Sequence, residues 1–365
     1  DKGDILICAR NGSRALVGKS AIVDMDGMAF GAFMAKYTSF LSGMLNAYIL
    51  MFIESPVFRC QLDGVKTETI NQITQNMIRE QLIPIPPLEE QLRINKKLAE
   101  IMPYIEKYGT EHLEVTNLND TFPASLKKSI LQEAVQGKLV PQNPSDEPAF
   151  VLLERIRAEK ERLIQEGKIK RNKYESVIYR RDNSHYEKLD GIERCIDDEI
   201  PFEIPDSWEW VRLGTISTYS YTKQKINAQN VDPKIWGLDL EDIEKGGRLL
   251  TKKSVGERKA VGDKTFFDKG DILYSKLRPY LLKILIASDC GICTPEIVPF
   301  KVFGKINPEY IVAFLKCPYV DVVINSVTYG VKMPRVGTET MTNLFVPIPP
   351  LSEQYRIVEK QKELF

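Results

Sequence analysis

The chain has 365 residues, 43% of them hydrophobic, with 50 basic and 50 acidic side chains and a formal net charge of zero. That composition supplies ordinary cores for two or three domains, excludes a uniformly basic polyanion binder, and contains no apolar run near the roughly 20 residues of a membrane-crossing helix. Six irregularly spaced cysteines do not form a disulfide framework and fit a reducing cytoplasm, and no signal peptide opens the sequence.

The opening "DKGDILICAR" reads as a strand under way, so the sequence is expected to begin inside a domain. "GSRALVGKS" (Gly12–Ser20) looks like a phosphate loop, but five residues separate Gly12 from Gly18 where the phosphate cradle needs four. At Ile83–Ile94, "IPIPPLEEQLRI" alternates apolar residues with prolines, as an edge strand leaving a domain does. The second proline then fixes φ for helix entry, and Glu89 and Glu90 favour the dipole of a first turn. A domain over 1–87 is therefore followed by a helical region over 88–166. In it Leu98, Ile101, Ile105, Tyr108, His112 and Val115 step by three and four residues, a coiled-coil-like seam, while Pro103 and Pro123 should kink or interrupt the helix. "VLLERIRAEKERLIQE" continues as a second, highly charged helix.

Residues 167–199 read as a solvated connector whose Lys168, Lys170, Arg171, Lys173, Arg180 and Arg181 could touch phosphate. "IPFEIPDSWEWVRLGTI" opens a strand-rich domain over 200–350, with Trp208, Trp210 and Leu213 as core anchors. From Arg212 to Lys283 the net charge is +6, against −3 from Leu88 to Glu166, so the basic excess lies on a globular stretch. "CGIC" (Cys290–Cys293) has the spacing of half a zinc knuckle, but no second pair follows and the chain has only two histidines, so two small buried residues on a strand is the better reading. Residues 351–365 start another helix and end inside it.

Two segments recur. "VPIPPLSEQYRI" at Val346–Ile357 matches the earlier proline segment at nine of twelve positions, and "DKGDIL" occurs at Asp1 and at Asp268. The offsets, 263 and 267 residues, indicate tandem copies of one unit and exclude a solenoid. The expected fold is α+β: two similar strand-rich domains, separated by long antiparallel helices, in a pseudo-two-fold internal repeat.

These motifs resemble the specificity subunits of type I restriction–modification enzymes. "PIPPLEEQ" and "PIPPLSEQ" resemble the family's domain ends, "LKKSILQEAVQGKLVPQNPSDEPAFVLLERIRAEKERLIQEGKIK" its central conserved region, and "PDSWEWVRLG" the opening of its target-recognition domains. "KGDILYSKLRPYL" and "GDILICARNGSRALVGKSAIV" resemble segments inside those domains. The resemblance implies a non-catalytic DNA-recognition subunit. Each target-recognition domain would read one half of a bipartite site on double-stranded DNA, and the helices would fix the spacer and dock two methyltransferase subunits. It implies no cofactor in this chain, S-adenosylmethionine on the methyltransferase, and ATP and magnesium on the restriction (motor–nuclease) subunits. The first domain departs from the pattern in lacking a counterpart of roughly 200–267. A stand-alone DNA-binding or adaptor protein, or a nuclease or ATPase, stays open as an alternative, although no set of residues offers a catalytic centre.

Base reading needs donors and acceptors that reach groove edges. The candidates in the second domain are Tyr221, Lys223 and Gln224, then Tyr274, Lys276, Arg278 and Tyr280, with strand alternation placing Tyr274, Lys276 and Arg278 on one face, and Lys332 and Arg335 in a glycine-flanked loop. In the first domain they are Arg10, Asn11, Ser13, Arg14, Lys19 and Lys66.

Overall fold

The computed structural model describes every residue except 14, 40–44, 64–71, 168, 170–174, 183, 190, 220, 222–224, 329 and 331, and only the backbone at 61–63. It divides into two compact units, Asp1–Asp120 and Thr121–Phe365.

In the first unit Ile5–Cys8 is the middle strand of three, antiparallel to Ser20–Ile22 and to Met34–Tyr37. Alternation turns Ile5 and Ile7 inward, onto Tyr48, Ile49, Phe52 and Ile53 of the helix Asn46–Glu54 and onto Phe58 of the helix Pro56–Asp63. The strand is entered through Gly3 at φ +93°, a backbone shape that favours glycine. A short helix, Gln75–Arg79, is capped by Thr74. The helix Leu88–Val135 starts in this unit and runs 48 residues. Contrary to expectation, Pro103 and Pro123 do not interrupt it. Each proline forfeits one rung of the hydrogen-bond ladder, and the intact turns on either side outweigh that loss. Ile101, Ile105, Tyr108 and Val115 of the expected seam are exposed.

The second unit repeats this plan. Ile272–Ser275 lies between antiparallel Ile284–Ile286 and Ile297–Phe300, is entered through Gly270 at φ +90°, and is followed by the helices Pro308–Leu315, Pro318–Ser326 and Thr338–Thr342. The likeness extends to side chains. The Tyr48 hydroxyl donates to the Pro84 carbonyl at 2.8 Å, and the Tyr310 hydroxyl to the Pro347 carbonyl at 2.7 Å. Gln91 donates to the Pro86 carbonyl and accepts from the Leu45 N–H; Gln354 donates to the Pro349 carbonyl and accepts from the Asn307 N–H. Each copy of the proline segment thus has two of its carbonyls satisfied, by one tyrosine and one glutamine. The edge strand expected there forms only in the second copy, where Phe345–Ile348 pairs with Glu209–Arg212. Residues 81–87 form no strand, because the described part of the first unit holds no partner equivalent to Glu209–Arg212.

The second unit also carries a five-stranded sheet ordered Lys253–Ser254, Trp236–Leu238, Gly291–Cys293, Asp263–Phe267, Lys225–Asn227, with Gly291–Cys293 parallel to Trp236–Leu238. A Cβ on Gly291 would lie 2.4 Å from the Trp236 carbonyl oxygen. Trp208, Trp210 and Leu213 are buried as expected. The helix Leu351–Leu364 runs opposite to the end of Leu88–Val135: Lys127 lies 4.5 Å from the Phe365 ring, while Gln142 bonds Glu353.

Part of the expected solvated connector is a sheet. Val177–Arg181, Ser184–Leu189 and Ile192–Cys195 form an antiparallel sheet, which places Ile178 and, just beyond it, Ile196 in a cluster with Trp210 and Phe345. Its apolar residues are too sparse among charges to signal a sheet by themselves, and the buried carboxylate of Glu187, bonded by Arg212, Arg194 and Ser176, adds a polar anchor. Arg180 pairs with Asp206 at 3.0 Å and Arg181 with Glu193 at 2.8 Å. Lys168, Lys170, Arg171 and Lys173 lie outside the described residues. Among the described residues no helix is long and apolar enough to cross a membrane.

Candidate nucleic-acid interface

Beyond the strand Ile272–Ser275 the chain turns and meets the loop before Thr338–Thr342. Leu277 bridges Arg335, the Val336 N–H donates to the Lys276 carbonyl at 3.1 Å, and the Arg278 N–H to the Pro334 carbonyl at 2.7 Å. Arg278 is exposed and left-handed at φ +49°, and its guanidinium reaches the Lys332 carbonyl. Lys276, Arg278, Lys332 and Arg335 are thereby brought together at one corner, with exposed Tyr280 following Arg278 in the chain. The sequence reading missed Glu296, which accepts from Arg335 Nη2 at 2.9 Å and Nε at 3.2 Å and lies 4.0 Å from Lys276. A single acid in "CTPEIVPF" carries no signal of that role.

Tyr274 does not belong to this corner. It is 2% exposed and meets Tyr219 edge-on at 6.2 Å between centroids. Alternation governs only the strand, which ends at Ser275, and the face it gives Tyr274 is the core. Burial pushes the hydroxyls of Tyr274 and Tyr219 up. Tyr221 is half-buried, and its hydroxyl is pushed up by burial and by nearby Glu175. Lys223 and Gln224 lie outside the described residues.

The first unit builds an equivalent corner. Arg10 bridges Gln72, the Ile73 N–H donates to the Ala9 carbonyl at 2.7 Å, and the Arg10 guanidinium lies over the Phe33 ring at 5.4 Å. Asn11 accepts the Ser13 N–H at 2.9 Å, and Ser13 and Lys19 are exposed. Arg14 and Lys66 lie outside the described residues. In the phosphate-loop lookalike, the Gly18 N–H donates to the Cys8 carbonyl and the Lys19 N–H to the Leu16 carbonyl, so these amides are already spent. The expected buried pair holds for Cys293 alone, which lies on the strand Gly291–Cys293 with its thiol pushed up by burial; Cys290 precedes that strand and is exposed. Among the described residues no group of three His, Cys, Asp or Glu side chains could hold a metal ion.

Residues 205–365 match the type I restriction modification DNA specificity domain. The chain is 34% identical to the type I restriction enzyme EcoEI specificity subunit of Escherichia coli over 244 residues, covering 64% of this chain and 37% of that protein. It is 26% identical to the EcoAI specificity subunit of the same organism over 371 residues, covering 87% of this chain and 59% of that protein. The chain therefore spans roughly two to three fifths of the length of these relatives. The HsdS subunit from Thermoanaerobacter tengcongensis aligns over all of this chain and 73% of its own, at 16% identity and a TM-score of 0.48. Residues 205–365 thus carry the match to the type I restriction modification DNA specificity domain, and most of the chain is similar to specificity subunits of type I restriction enzymes.

Proposed function

We propose that the chain is the DNA-recognition subunit of a type I restriction–modification complex and performs no chemistry itself. Each unit reads one half of a bipartite duplex site. The helices set the unread spacer and dock two methyltransferase subunits carrying S-adenosylmethionine, and ATP- and magnesium-dependent restriction subunits complete the assembly. The proposed domains are 1–87, 88–166, 167–199, 200–350 and 351–365, the 167–199 stretch forming part of the second recognition domain's surroundings.

One observation carries this reading: the same strand-end corner recurs in both units, Arg10 bridged to Gln72 and Leu277 bridged to Arg335, with basic side chains at each. Two copies of one reading edge suit two half-sites, the logic of two-fold DNA binders. Among Lys19, Lys276, Arg278 and Lys332, contacts to phosphate would position the duplex and contacts to base edges would specify it. The test is selection of duplexes from a random pool with the chain and its methyltransferase partner, then sequencing of the bound fraction. A two-part motif with an unspecified gap supports the reading. A single uninterrupted motif, no enrichment, or no co-purifying methyltransferase overturns it in favour of a stand-alone binder or adaptor.

A further inference from the structure

The two corners are built with one difference. Arg10 and Leu277 occupy the same place in the repeat, Gln72 and Arg335 the facing place, and Phe33 and Glu296 the place just before the third strand. Each bridged pair therefore holds one arginine, on opposite members. What restrains that arginine differs. The Phe33 ring, 59% exposed, lies 5.4 Å from the Arg10 guanidinium; a ring face attracts the cation but takes none of its five N–H donors. Glu296 engages Nε and Nη2 of Arg335 and stands 4.0 Å from Lys276. That fork-to-carboxylate pairing uses the donors that would otherwise grip a guanine edge or a phosphate.

We propose that residues 33 and 296 are specificity-determining positions: Phe33 presents Arg10 to duplex DNA, whereas Glu296 withdraws Arg335 and leaves reading at the second corner to Arg278 and Lys332. This rests on the DNA-recognition function proposed above. Neither Phe33 nor Glu296 need touch DNA; both act by holding a cation.

The test uses the full chain with duplex DNA over a salt series, together with selection from random duplexes. Glu296→Gln releases Arg335 and Lys276, and the slope of log affinity against log salt steepens by about 1 per phosphate gained, with base preference changed in one half of the site only. Phe33→Glu captures Arg10, makes the slope shallower by about 1, and relaxes preference in the other half. Arg335→Ala leaves the slope unchanged, because Arg335 is already engaged. A folded Glu296→Gln variant with wild-type slope and preference, a change in both halves alike, or a shallower slope with Arg335→Ala each overturns the inference. A wild-type chain that binds no duplex overturns the functional reading along with it, whereas binding with unaltered variants overturns this inference alone.

Discussion

Trp208 donates its indole N–H to the carboxylate of Glu353 at 3.0 Å, joining the entrance of the strand Glu209–Arg212 to the first turn of the helix Leu351–Leu364. Glu353 also accepts from Gln142 at 2.5 Å, and burial pushes its carboxyl above the ordinary value. Glu353→Ala strands both donors and should destabilise the second unit by about 1–3 kcal/mol, read from urea unfolding. Glu353→Gln keeps an acceptor for the indole. Because a raised carboxyl pKa contributes stability that fades as pH rises through it, the Gln variant should gain on wild type as pH rises above the ordinary carboxylate value. A constant difference over that range would contradict the raised value.

Glu187 behaves in the opposite sense. Burial pushes it up, but hydrogen bonds from Arg212, Ser176 and Arg194 together outweigh burial and bring it down from 4.5 to about 2. A depressed carboxyl stabilises the fold above its unfolded pKa, and that contribution fades as pH falls toward its folded value. The shift corresponds to about 3 kcal/mol. Glu187→Gln should flatten the acid limb of stability between about pH 5 and 2, and an unaltered limb in a pH series of urea midpoints would show that the triad of donors does not hold the carboxylate.

Gln354 satisfies one backbone donor and one backbone acceptor with a side chain that is fully buried. Gln354→Ala should cost about 2–4 kcal/mol, and Gln91→Ala, its counterpart in the first unit, a similar amount. Thermal unfolding of both variants checks this, and a change near zero at either position would mean that water replaces the amide.

Lys276→Ala combined with Arg278→Ala removes two cations from the second corner. Duplex affinity should fall, and the salt slope should become shallower by about 1–2. Wild-type affinity and slope in a fluorescence titration would remove this segment from the interface.

Much of the fold was legible because the duplicated words fall on its framework. "DKGDIL" marks the glycine entry and the central strand of each sheet, and "PIPP" marks the passage into a helix. Tyr48 and Tyr310 were not singled out as a pair, although both open a Tyr-Ile-x-x-Phe stretch, since their shared role is a hydrogen bond to a proline carbonyl 36 or 37 residues away. The hairpins of 177–195 were hidden because paired charges, such as Arg181 with Glu193, made a sheet look like a solvated linker. Of the site, the cations at 276, 278, 332 and 335 were legible from residue type and glycine-flanked loops. Tyr274 was misplaced because alternation states which side chains share a face and not whether that face meets water. Glu296 and Phe33 were invisible, because each acts through an arginine brought near only by folding.

The offset between the copies is 267 at the bridge residues Arg10 and Leu277 but 263 at Phe33 and Glu296. Four residues of length have thus been gained or lost between the bridge residues and the third strand, across the turns that join neighbouring strands, and one more before the tyrosine locks, where Tyr48 and Tyr310 are offset by 262. Such a chassis lets its rim be lengthened or trimmed without refolding the interior.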